Sequence, residues 1–229
     1  MGDVITRGFK SVIARKNAGG AATTWNSTTV LANQAAGTRA SFAYTPTATY
    51  ASGDRLVLHI WWDNTGQALT TITDNNSNTW TIDIEEPGNT TLRSSALIST
   101  VLNAELNTGD TVTINWAASS YQRLTISETS LSDAGTVDAA VSSGVGAYAG
   151  SVSATTTTSN DGFAAVLITS NTNITLTPSG FTESDTIALA SNYRYQAVGY
   201  GATTAGSTAI SATYTPAGNS RIIWVNYSP

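Results

Sequence analysis

The feature that most constrains this chain is a series of strand-length apolar runs, separated by turn signals at intervals of about 8–12 residues from Arg39 onwards. No segment after residue 16 sustains a helical period. The candidate strands are Arg39–Tyr44, Arg55–Trp62, Leu69–Thr73, Thr79–Glu85, Ser95–Leu102, Thr111–Ala117, Gln122–Leu131, Ser151–Thr157, Phe163–Thr169, Ile174–Thr177, Tyr193–Gly201, Ala209–Thr215 and Arg221–Tyr227. Several alternate with period 2: Trp80, Ile82 and Ile84 are expected on one face, and Val112, Ile114 and Trp116 on another. Asp74–Asn78, Pro87-Gly88, Thr108–Asp110 and Ser159–Gly162 are the punctuation between them. The expectation is an all-β fold, a β-sandwich or jelly-roll of roughly a dozen antiparallel strands.

The residue usage agrees. Charged residues are 11% of the chain, against about 25% in an average protein, and Ser, Thr, Asn and Gly take their place. Short polar side chains compete for backbone hydrogen bonds and disfavour helices, whereas threonine suits strands. With no cysteine, a disulfide framework and a thiolate metal site are both excluded. A mostly acidic chain without a basic stripe argues against nucleic acid as a partner. The first residues, MGDVITRGFKSVIARK, contain no apolar run of signal-peptide length, and no later run reaches the ~18 residues of a membrane span. The expectation is therefore synthesis and folding in a cytoplasm, with no signal peptide and no membrane partner. Met1-Gly2 with Thr6 formally matches a myristoylation motif, and the sequons at Asn26, Asn89, Asn173 and Asn226 are what an Asn/Ser/Thr-rich chain produces by chance.

Charge is unevenly placed. Residues 1–52 hold Arg7, Lys10, Arg15, Lys16 and Arg39 against Asp3 alone, while the remainder holds 5 basic and 14 acidic residues. Residues 1–35 read as a mildly basic arm or an irregular edge segment, either reaching a partner through Arg7, Lys10, Arg15 and Lys16 or covering an edge of its own sheet. The body shows a faint repeat. GDRLVLHIWW, ITDNNSNTW, SSALISTVL, GDTVTINWA and YQRLTISETSL are echoed by NDGFAAVLIT, LTPSGFTES, YRYQAVGYG, STAISATYT and SRIIWVNYS. This suggests a duplicated five-strand unit, with units at 36–138 and 151–229 joined by an Ala/Gly/Ser crossover at 139–150. Two stacked sandwiches and one sandwich shared between the halves (a single domain over 36–229) both fit.

Residues that resemble chemistry have plainer readings. His59 is the sole histidine and sits mid-strand on the face of Val57 and Trp61; acid–base work would require a titratable partner, and no Gly-x-Ser-x-Gly elbow accompanies it. Asp74-x-Asn76-x-Asn78 has the opening spacing of a calcium loop, with Glu85 at the twelfth position. Position six, however, is Thr79 rather than glycine, and the residues after it read as a strand, so a β-turn is preferred and no cofactor is expected. Glu85-Glu86 is a carboxylate pair whose members face opposite ways on a strand. Trp61-Trp62 places one indole on each face. One of them must be core. Trp62, together with Tyr193 and Tyr195, is the aromatic contact candidate, against protein or stacked on sugar.

The run GDRLVLHIWW…ITDNNSNTWTIDI…SSALISTVLNAELNTGDTVTINW…QRLTISETSL resembles a β-sandwich unit that recurs in tailed-phage structural proteins and in some bacterial secreted proteins. The likeness covers about residues 53–138, with a degenerate copy over about 160–229. It implies display, decoration or adhesion and brings no catalytic residues. The expected function is a non-enzymatic virion protein, a capsid decoration protein that contacts the major capsid protein or itself as an oligomer such as a trimer. The alternative is a carbohydrate- or receptor-binding module of a tail fibre or secreted protein, with cell-surface glycans as ligands.

Overall fold

The structure is a computed structural model; it describes residues 25–62, 67–88, 92–132, 135–144, 150–172, 174–188 and 195–228, with backbone alone at 25–37, 120–123, 185–188 and 195–197. The described residues form strands and no helix. The first half holds β1 (Trp25–Tyr44), β2 (Arg55–Trp62), β3 (Leu69–Asp74), β4 (Thr81–Glu86), β5 (Ser94–Val101) and β6 (Val112–Leu131). The second holds β7 (Thr136–Ser142), β8 (Ser151–Thr158), β9 (Gly162–Ser170), β10 (Thr175–Ser179), β11 (Thr182–Ala188), β12 (Tyr195–Thr203), β13 (Gly206–Thr215) and β14 (Ser220–Ser228). All pairings are antiparallel.

Strands β1 and β6 are each 20 residues long and serve two layers. Their outer stretches, Trp25–Gln34 and Leu124–Leu131, pair with one another, and β6 continues the sheet through β2, β5 and β4. Their other stretches, Ser41–Tyr44 and Val112–Asn115, form a small sheet with β3. The two layers close over a core that includes Leu58, Ile60, Trp62, Ile98, Ile114 and Trp116. In the second half the order β11-β12-β9-β14-β7 forms the large sheet and β10-β13-β8 the small one. Their shared core includes Val166, Ile168, Ile210, Tyr214 and Trp224.

Strand for strand, the two halves have the same order. The large sheets read β4-β5-β2-β6-β1 and β11-β12-β9-β14-β7, and the small ones β3-β6-β1 and β10-β13-β8, with two strands of the second half in the place of each of the bent β1 and β6. Core positions follow: Val112, Ile114 and Trp116 face one core as Ile210, Ala212 and Tyr214 face the other.

The halves are two stacked sandwiches. Their large sheets pack against each other through a third apolar layer, with Val57, Leu97 and Leu131 from the first meeting Leu167, Ile223, Val225 and Tyr227 from the second. This explains why β2, β5, β9 and β14 are apolar on both faces and buried almost throughout. Their burial is the main apolar stabilisation, at about 1.5–3 kcal/mol for each large side chain fully removed from water.

Several expectations change. Residues 25–35 are part of β1, an edge strand, so the proposed arm shortens to residues that lie outside the description, Arg7, Lys10, Arg15 and Lys16 among them. β7 pairs with β14, so the second half begins by Thr136, ahead of the crossover expected at 139–150. In β4 the alternation breaks. Ile82 opposes Ile98 and Ile84 opposes Leu97, which leaves Asp83 as a bulge. Ile82 therefore packs into the first core and Ile84 into the layer between sandwiches.

Candidate functional site

The Asp74 loop is a closed hydrogen-bond unit. Asp74 Oδ1 accepts from the backbone N–H of Asn76 at 2.9 Å and of Asn78 at 3.1 Å, while Oδ2 accepts from the Trp80 indole at 2.8 Å. Asn78 Oδ1 accepts from Ala104 N, and Asn76 Nδ2 donates to Glu105 O and to Asp110 Oδ2. Hydrogen bonds from the Asn107 backbone, Asn75 and Asn76 hold the Asp110 carboxyl below the usual range. These oxygens bind protein donors and fix the turn. No group of three or more His, Cys, Asp or Glu among the described residues is arranged to hold a metal ion. Glu85 accepts from Leu69 N and Glu86 lies 3.9 Å from Arg221, so the pair points two ways.

The aromatic candidates separate. Trp62 is fully buried and meets Trp116 edge to face, with centroids 6.3 Å apart; its indole donates to Gln67 O. It is core, which corrects its reading as a contact residue: both faces of β2 are covered, so neither Trp61 nor Trp62 reaches the surface. Tyr195 begins β12, opposite Ser170 and Ala188, with its side chain outside the description; Tyr193 lies outside the described residues altogether. Among described residues, the exposed large apolar side chain is Val137.

Buried polar groups concentrate at three places. Inside the first sandwich, Glu128 Oε2 accepts from Thr47 N at 3.1 Å, Thr47 Oγ1 at 2.8 Å and Tyr50 Oη at 2.8 Å. Burial raises the Glu128 carboxyl despite these bonds, and burial beside it raises the Tyr44 and Tyr50 hydroxyls. In the second sandwich, Asn226 donates to Asp138 and accepts from Thr203, while Asp138 also takes the N–H groups of Ser159 and Asn160. Glu128 and Asn226 occupy matching places in β6 and β14, and each ties down the loop that precedes its neighbouring strand, β2 or β9.

The third place is between the sandwiches. Arg55 donates to Ser99 Oγ and Gly135 O, each at 2.7 Å, and stacks over Tyr227 at 5.0 Å from the ring centroid; Tyr227 Oη donates to Asp83 Oδ2 at 2.7 Å. Burial lifts Asp83, an effect that Ser99, Tyr227 and Arg55 partly offset. At another point Arg221 donates to Glu86 O and Pro87 O, each at 3.2 Å. His59 is wholly buried in this layer. Neither Glu128 nor Asp83 was singled out by sequence, and Asn226 was noted there only as a sequon. Glu128 was legible there, because it falls in period with Leu124 and Ile126, the core side of its strand.

The outer small sheet of the second sandwich has a different character. Its exposed face carries Thr175, Thr177, Ser153, Thr155, Thr157 and Thr213, and β8, β10 and β13 contain no charged residue. Comparison of the chain with protein-family models, with curated proteins and with solved structures returned no match. No helix among the described residues is long and apolar enough to cross a membrane.

Proposed function

We propose that this chain is a non-enzymatic virion structural protein, a decoration protein on the head of a tailed phage, with the major capsid protein and further copies of itself as partners. One observation carries the reading. The polar groups that resemble chemistry are tied into the framework: Asp74 fixes a turn, Glu128 fixes a loop, Asp83 and Arg55 join the sandwiches, and His59 is sealed between them. What is left for contact is the polar, uncharged face of the small sheet of the second sandwich and the basic residues Arg7, Lys10, Arg15 and Lys16. The alternative, a glycan-binding module, loses Trp62 to the core and keeps Tyr193 and Tyr195 as its stacking residues.

The test is the protein composition of purified virions from the phage that encodes the chain, with gold-labelled antibody to locate it. The expected result is many copies per particle, labelled over the head. Absence from the particle overturns the reading, and label confined to tail fibres favours the alternative.

A further inference from the structure

Within the apolar layer between the two sandwiches, the first sandwich contributes a polar patch around His59. His59 stands opposite Leu97 on β5 and Ser127 on β6, and its neighbour on that face, Trp61, stands opposite Ser95 and Thr125. All of these residues are buried. Neither imidazole nitrogen makes a hydrogen bond of normal geometry, and the hydroxyls of Ser95 and Ser127 are likewise unpaired. The facing surface carries Leu167, Ile223 and Val225, with Thr169 and Arg221 on the same strand faces. Each sandwich has a core of its own, and the chain passes from one to the other once, between β6 and β7. Parting this layer leaves two closed units.

We propose that this layer is an acid-sensitive hinge with His59 as its trigger: a proton on the imidazole parts the two large sheets while each sandwich stays folded. A charged imidazole has no carboxylate partner there. Among the described side chains, the charged or titratable groups that reach the layer are Arg55 from β2, Asp83 and Glu86 from β4, Tyr200 from β12, and Arg221 and Tyr227 from β14. Asp83 is engaged by Tyr227 and Arg55, and Glu86 lies beside Arg221. Neither carboxylate bears on His59.

Burial pushes His59 from its ordinary 6.5 down to about 3, with a weak opposing contact from the Ser127 backbone. The closed layer is therefore fully favoured above pH 6.5, and its advantage falls about tenfold per pH unit from there towards pH 3. Asp83 works in the opposite sense. Burial raises it, so its proton is held more tightly when the layer is closed and acid at that group favours closure. Opening in acid thus depends on His59.

The chain lacks cysteine, so single introduced thiols report without background. Val225→Cys probes the layer, and Ile60→Cys and Val166→Cys probe the two separate cores. Their reaction with 4,4′-dithiodipyridine, normalised to a free thiol at each pH, measures opening. The expected result is that Val225→Cys reacts about tenfold faster per unit between pH 6 and pH 4 while the two core thiols do not, and that His59→Gln removes the acceleration. His59→Leu gives a second test should the glutamine variant fold poorly. Equal acceleration at all three thiols, no acceleration, or acceleration that persists without His59 overturns the proposal.

Discussion

Replacing Glu128 tests the reading that buried acids here are framework. Its Oε2 takes three hydrogen bonds, of which the Tyr50 hydroxyl comes from a residue only 3% exposed, while Thr47 is exposed and can turn to water. Glu128→Ala takes the carboxylate acceptor from the buried Tyr50 hydroxyl, at about 1–3 kcal/mol, and removes side-chain volume from a closed core. The expected loss is about 3–4 kcal/mol in all. Glu128→Gln keeps a carbonyl acceptor of the same shape and should cost less than about 1 kcal/mol at pH 4. The pH dependence has a definite sign. Burial raises Glu128 above its ordinary 4.5, so the stability linked to its proton is complete below pH 4.5 and declines as pH rises through the folded value. Glutamine has no proton to lose, so the gap between the glutamine variant and the parent should close or reverse as pH increases. Urea unfolding followed by tryptophan fluorescence at several pH values measures this. An alanine variant as stable as the parent, or a glutamine variant as damaged as the alanine one, refutes the reasoning.

Three further outcomes follow from the structure. Asp74→Ala removes three acceptor bonds from one turn and should lower stability by about 1–2 kcal/mol in a melt, while calcium or chelator leaves the parent's melting temperature unchanged. Tyr227→Phe removes the bond to Asp83 between the sandwiches and should cost about 1–2 kcal/mol, read as a shift in the urea midpoint. Gly162→Ala places a Cβ 2.3 Å from the Tyr227 carbonyl oxygen, so the β9–β14 pairing must shift; a loss of about 1–3 kcal/mol is expected, and hydrogen exchange in β14 should quicken.

Much of the fold was legible because strand period and burial coincide. β2 was read with its observed bounds, since a strand covered on both sides is apolar throughout. What escaped notice were the edges. β7 (TVDAAVS) and β11 (TESDTIA) each bond a single neighbour and carry weak apolar signals, as edge strands do. Gln122–Leu131 and Thr111–Ala117 were read as two strands where one long strand bends between layers. The β4 bulge was invisible, because one extra residue changes which face Ile84 meets without changing the alternation in sequence. Trp62 was misjudged for a related reason: alternation shows that two neighbours point apart, and does not show that the second face is also covered. The likeness between halves was read as a duplicated five-strand unit; the halves hold six and eight described strands that share one order. Glu128 and Asn226, at matching sites with different side chains, show why the likeness is faint in sequence.

The central claim is that contact is the function and that residues 1–24 contribute to it through their basic side chains. Cosedimentation of the purified full chain with phage heads that lack it tests this most directly, alongside a form without residues 1–24, which keeps all of β1. The account predicts saturable binding by the full chain, weakened by salt, and strongly reduced by the deletion or by reversing Arg7, Lys10, Arg15 and Lys16 to glutamate. A full chain that stays in the supernatant, or a deleted form that binds as tightly as the full chain, contradicts it.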